Sequence, residues 1–217
     1  MKSKPYYPVY LDLENVRCLV VGGGKIAERK IRSLLESGAH VVVVSPEATT
    51  GIRALAETGQ IQWIENRYTR NFLKSVSLVI SATNDDSVND KISRDAKDRN
   101  IPVNVVDEPA RCSFIVPAVA RKGDIHIAVS TGGGAPGMAG KIRDRLAQAI
   151  GSEYAALVAG LKARRDRIRA LTPKAKKAFH ESISRLQPET YLSNTEKLIV
   201  EIDILLEEAE RGSPHNG

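Results

Sequence analysis

Long apolar runs are missing from this 217-residue chain. None approaches the roughly 20 residues that a membrane-crossing helix needs, so no membrane partner is expected. The opening stretch MKSKPYYPVYLDLENV lacks an apolar core of signal length, which makes the cytoplasm the expected location. Cysteine is scarce. Cys18 and Cys112 have neither metal-ligand nor redox spacing, and they read as a reduced pair. Histidines are few and scattered, at positions 40, 126, 180 and 215, so no resident metal is expected. Aromatic residues make up 5% of the chain, and none interleave with a basic strand or helix. That argues against a nucleic-acid platform. The formal net charge of +6 favours an anionic partner but does not choose one.

What is present is a rhythm of strand and helix between residues 16 and 106. VRCLVV, HVVVVS, IQWIE, LVISAT and IPVNVV read as strands. KIAERKIRSLLESG, TGIRALAETG, a short FLKSV and DSVNDKISRDAKDRN read as the helices between them. Continuous apolar strands separated by helices predict an α/β fold, a Rossmann-like parallel sheet covered on both faces. After Asp107 the rhythm changes. SFIVPAVARKGDIHIAVST predicts strands joined by a turn at KGD, with no room for a helical crossover, so antiparallel pairing is expected. GMAGKIRDRLAQAIG then opens a helix, and from Ser152 onward the chain reads as helical, with stops near Thr172–Pro173 and Gln187–Pro188. These changes predict a nucleotide-binding domain over 1–112, a small mixed segment over 113–150 and a helical domain over 151–217. The tail RGSPHNG is expected to be disordered.

The stretch CLVVGGGKIAERK, residues 18–30, fits G-x-G-x-x-G/A with Gly22, Gly24 and Ala27. It follows a strand and opens a helix, the setting in which this fingerprint marks a pyrophosphate cradle rather than a plain turn. Gly22 would allow the tight turn, Gly24 the approach of backbone to phosphate, and Ala27 close helix packing. The acid that commonly ends the second strand and holds the ribose is absent, because Ser45 and Pro46 stand there. Glu47 follows, and it either reaches the ribose or serves as a first-turn helix acid. No arginine sits directly beside Ser45 to meet a 2′-phosphate, which favours NAD over NADP. Ala82 and Thr83, at the end of the fourth strand, can line the cofactor crevice; Thr83, Asn84 or Asp85 can equally cap the next helix. Asp107 lies just past the fifth strand, on the same sheet edge as the glycine loop. It reads as a general base or substrate anchor, or else as a turn-former ahead of Pro109, and position alone leaves both open.

Four segments taken together, YYPVYLDLENVRCLVVGGGKIAERKIRSLLESGA, VISATND, VNVVDEPARCSFIVPAV and IHIAVSTGG, resemble the precorrin-2 dehydrogenase family in order and spacing. That family includes standalone enzymes of the sirohaem pathway and the N-terminal part of sirohaem synthases, and the likeness is strong over residues 5 to 150. It implies oxidation of precorrin-2 to sirohydrochlorin with NAD⁺, and in some members insertion of Fe²⁺ as a second substrate. It also implies a homodimer built through the middle segment. The family's key aspartate falls on Asp107 and its cofactor loop on Gly22, Gly23, Gly24, Lys25 and Ile26, with adenosine-side contacts near Pro46 and Glu47. The substrate is a polycarboxylate, a natural partner for a basic chain. Arg111, Lys141, Arg143 and the stretch KARRDRIR at 162–169 are available to its acid groups, although that stretch also reads as a solvated helix face. Asn104 and Ser113 flank Asp107 and would orient it or the macrocycle, or simply bond within the strand. The chain departs from the family where Ala135 replaces a usual serine and Gly140 a usual arginine. Two rivals stay open: a bifunctional dehydrogenase and ferrochelatase, and, from another class, an NAD(H)-sensing regulatory module that would not need Asp107.

Overall fold

The computed structural model describes residues 5–212 and divides into two compact units that meet between Val116 and Pro117. The first unit holds five parallel strands, β1 (Arg17–Val21), β2 (His40–Ser45), β3 (Gln62–Glu65), β4 (Leu78–Ser81) and β5 (Val103–Val105), in the order β3-β2-β1-β4-β5. Helices α1 (Lys25–Leu35), α2 (Thr50–Glu57) and α3 (Asp86–Lys97) make the crossovers. The chain leaves β3 and returns beside β1, so the strand order reverses between β1 and β4. In open α/β sheets ligands bind at that reversal, outside the carboxyl ends of the strands.

The β-branched strands earn their place by feeding two cores at once. Cys18 and Val20 of β1 and Val41 and Val43 of β2 face one side, with Ala27, Ile31 and Leu34 of α1 and Ile52 and Leu55 of α2. The alternate residues Leu19, Val21, Val42 and Val44 face the other side, with Ile92 and Ala96 of α3. A period of two sorts each strand between two apolar layers, which is why the strands are apolar throughout. The segment expected as a short helix at FLKSV is a single 3-10 turn at Arg70–Leu73. Leu73 alone of that turn is buried, and Tyr68 just before it donates its hydroxyl to Asp95 of α3 at 3.2 Å.

In the second unit, β6 (Ala118–Lys122) and β7 (Ile125–Val129) pair antiparallel through a turn in which Gly123 has φ +57°. Among the described residues five helices follow: α4 (Pro136–Ala149), α5 (Ser152–Ala163), α6 (Arg165–Ala170), α7 (Pro173–Arg185) and α8 (Thr195–Arg211), with a 3-10 turn at Pro188–Tyr191. The stops read at Thr172–Pro173 and Gln187–Pro188 fall where helices begin or end. The break at Arg164 has no proline or glycine to announce it. There Arg164 forms an ion pair with Asp203 of α8, a contact between residues far apart in the chain. Arg211 is still helical, while the rest of the tail beyond Gly212 lies outside the described residues. Among the described residues no helix is long and apolar enough to cross a membrane.

Leu198, Ile202 and Leu206 of α8 form a buried row at i, i+4 and i+8 against Phe179 of α7. Replacing Ile202 with alanine is expected to cost about 2–5 kcal/mol, because the cavity at a fully buried site only partly collapses. Urea unfolding followed by helical circular dichroism measures it.

Candidate cofactor and active site

Strand register sets the site. Val21 pairs with Val44 and with Ser81, and Ser81 pairs with Val105. Gly22, Ser45, Ala82 and Val106 are therefore the next row, at one level of the carboxyl edge. Asp107 comes one residue later, past the end of β5, the strand two places from β1. At about 4.8 Å per strand, β5 lies roughly 10 Å across the edge from the glycine loop.

The glycines do separate jobs. Gly22 has φ +122°, and a Cβ there would stand 2.2 Å from the Ala82 carbonyl oxygen. A Cβ on Gly23 would stand 1.8 Å from the carbonyl oxygen of Glu47. In return the Gly23 carbonyl accepts from Thr49 N–H at 2.9 Å, so this pair of glycines locks the loops after β2 and β4 onto the loop after β1. Gly24 is different: nothing lies within 4 Å of where its Cβ would be. It occupies the N-cap of α1 with no side chain to bond the first-turn N–H groups, and Lys25 and Ile26 beside it are exposed. An open helix start with uncapped donors and a glycine for clearance fits a pyrophosphate.

On the adenosine side, Ser45 is buried and its hydroxyl accepts the Trp63 indole N–H at 3.1 Å. Pro46 and Glu47 are exposed. Arg53 of α2 lies over the Trp63 ring at 4.7 Å and donates to the Ala48 carbonyl at 3.1 Å. Glu28 of α1, which sequence reasoning passed over, clamps this loop: its carboxylate accepts from Thr49 Oγ1 at 2.7 Å and from Arg32 at 2.7 Å. These bonds hold the Glu28 carboxyl below its ordinary range, Thr49 first and Arg32 second. Its spacing of four from Arg32 announces the helix pair, but the bond to Thr49 is tertiary and has no local signal.

At the end of β4 the cap of α3 falls to Asp85, one of the three residues expected there. Its hydroxyl donates to Asn89 Oδ1 at 3.0 Å and accepts from Asp85 N–H at 3.2 Å, while Asp85 caps α3 by accepting from Ser87 and Val88 N–H. Ala82 and Thr83 remain half-exposed at the edge.

The loop after β5 is bonded at nearly every position except the aspartate. Asn104 is buried and donates to the Phe114 carbonyl at 3.1 Å. Ser113 accepts from Val103 N–H at 2.7 Å. Arg111 grips Asp86 at 2.6 Å and Asp90 at 3.1 Å on α3, and its carbonyl accepts from Ser93. Asp107 stands out from this scaffold, exposed and at φ +61°, a conformation uncommon for a residue with a side chain. Among the described residues its carboxylate has no hydrogen bond or ion pair. In the second unit, Arg143 and most of the cations at 162–169 are spent internally, on Asp144, Asp124, Asp203, Glu210 and Asp166. Among the described residues no group of His, Cys, Asp or Glu is arranged to hold a metal ion.

Residues 9–118 match the model of a protein family described as "Putative NAD(P)-binding". A sirohaem synthase of Actinobacillus succinogenes is 35% identical over 211 residues, which is 95% of this chain and 44% of that protein. One of Pseudomonas entomophila is 42% identical over 181 residues, or 82% of this chain and 39% of that one. The chain thus spans less than half the length of these curated relatives. Among solved structures, "SirC, precorrin-2 dehydrogenase" superposes with a TM-score of 0.75 at 27% identity, covering 91% of this chain and 99% of that one.

The two neighbouring glycines are expected to fail differently. Gly23→Ala should lower the thermal midpoint, at a cost of about 1–3 kcal/mol, because backbone must move to admit the methyl. Gly24→Ala should leave the midpoint unchanged and weaken dinucleotide binding about tenfold, since its methyl projects over the helix start. Thermal melts and calorimetric titration with NAD⁺ separate the two.

Proposed function

The chain belongs to the precorrin-2 dehydrogenase family, and from that premise we propose that it oxidises precorrin-2 to sirohydrochlorin with NAD⁺, in the cytoplasm. The observation that carries the reading is Asp107, an exposed carboxylate with unspent bonding capacity, on the same sheet edge as an uncapped glycine-loop helix. Oxidation removes a hydride and a proton from the macrocycle, and the bound nicotinamide supplies the hydride acceptor. Asp107 takes the proton. Gly22 through Ile26 hold the pyrophosphate, Ser45, Pro46 and Glu47 border the adenosine ribose, and Ala82 and Thr83 line the crevice between. The preference for NAD⁺ over NADP⁺ is supported by Arg53, whose guanidinium is committed to Trp63 and the Ala48 carbonyl.

Asn104, Arg111 and Ser113 act on the substrate through the loop they brace, keeping Asp107 presented. Residues 113–150 form the contact with a second copy of the chain. That reading is supported by Met138, Ile142 and Leu146, an exposed apolar row on α4 at 53%, 40% and 46% exposure. Replacing Ile142 with aspartate is expected to yield a monomer in light scattering, whereas an unchanged dimer would place the contact elsewhere.

Asp107→Asn keeps the shape of the side chain and removes the base. Its expected effect is a fall in NADH formation of at least ~100-fold with precorrin-2, with NAD⁺ affinity unchanged. Unaltered turnover would remove Asp107 from the reaction. The same preparation, given sirohydrochlorin with Fe²⁺ or Co²⁺ against a protein-free control, separates a dehydrogenase from one that also inserts metal.

A further inference from the structure

The loop that carries Asp107 does not lie only against α3. Val106, immediately before it, and Phe114, just past its far end, pack into the same core cluster as Ala27, Ile31 and Leu34 of α1. The loop that carries the aspartate thereby shares a core with α1, where Lys30 occupies the second turn, half-buried beside Ile31. Neither group is otherwise engaged: among the described residues Lys30 has no ion pair or hydrogen bond, and Asp107 has none. The neighbouring charges are accounted for. Arg29 precedes Lys30 on the same helix and is exposed, Arg111 is held by Asp86 and Asp90, and Glu108 lies next to Asp107 in the same loop. The buried Cys112 thiol is bonded to the β5 backbone at Val105.

We infer that Lys30 is a positioning residue, whose ammonium draws the Asp107 carboxylate into one orientation at the sheet edge for proton removal. The inference rests on the role proposed for Asp107. An aspartate in a left-handed backbone conformation, without a bonded partner, would otherwise rotate freely in solvent. A cation fixed on a helix supplies direction at a modest distance without occupying the oxygens that must meet substrate. Lys30 itself bears the mark of this setting. Burial and Arg29 push its ammonium below the ordinary lysine range, while Asp107 and then Cys112 push it back up.

Two measurements test this, and the first does not need catalysis. Titration of the Lys30 ammonium by NMR should move to lower pH in Asp107→Asn, because an upward influence is lost; an unmoved titration would overturn the pairing. The second is a cycle of Lys30→Met, Asp107→Asn and the double variant, assayed for NADH formation with precorrin-2. Lys30→Met should lower kcat about tenfold with KM and NAD⁺ affinity unchanged, and Lys30→Arg should restore most of it. In the Asp107→Asn background Lys30→Met should change nothing further. A rise in KM alone would instead make Lys30 a substrate anchor, and equal losses in both backgrounds would make it merely structural. Either result overturns the inference, and an inactive parent protein would fail the dehydrogenase reading while leaving the titration to judge the pair.

Discussion

Close approach of backbone to backbone at Gly22 and Gly23 is the constraint on which the rest of the site depends. At these residues the carbonyls of Ala82 and Glu47 occupy the space a Cβ would need. Three strand ends, from β1, β2 and β4, are thereby pulled to one level, and the start of α1 is left open above them. The phosphate recognition proposed for this loop then rests on what is absent. There is no side chain at the N-cap, so the first-turn donors face outward. Glu28 closes the arrangement from below by tying Thr49 back to α1.

The second consequence is a division along the loop after β5 between side chains that are bonded and one that is not. Asn104, Arg111, Cys112 and Ser113 all spend their polar atoms on the loop, on β5 or on α3. Their work is rigidity. Asp107, in the middle of this braced segment, keeps its carboxylate unspent and holds a conformation that few side chains adopt. Strain of that kind persists only where surrounding bonds over-determine the backbone, and it concentrates at functional positions.

Much of this is legible in the sequence. A parallel sheet covered on both faces followed from β-branched runs such as HVVVVS, whose alternate residues serve two cores; the strand order did not. The fingerprint at Gly22, Gly24 and Ala27 was visible because its spacing is local. What the sequence could not display was tertiary. The need for glycine at position 23 arises from Glu47, and the clamp at Glu28 arises from Thr49. Arg111 looked available to an acidic substrate, and only the packing of the loop against α3 reveals that Asp86 and Asp90 hold it. Lys30 escaped notice because nothing in AERKIR says which helix flank faces the loop after β5.

The proposed reaction is hydride transfer from a tetrapyrrole to a nicotinamide at this sheet edge. The direct measurement is an anaerobic single turnover of the protein with precorrin-2 and NAD⁺, following the macrocycle spectrum and NADH together. Appearance of NADH in step with sirohydrochlorin, one for one, is the predicted result. Tight NAD⁺ binding with an unchanged macrocycle would contradict it, and would instead describe a module that senses the dinucleotide without using it.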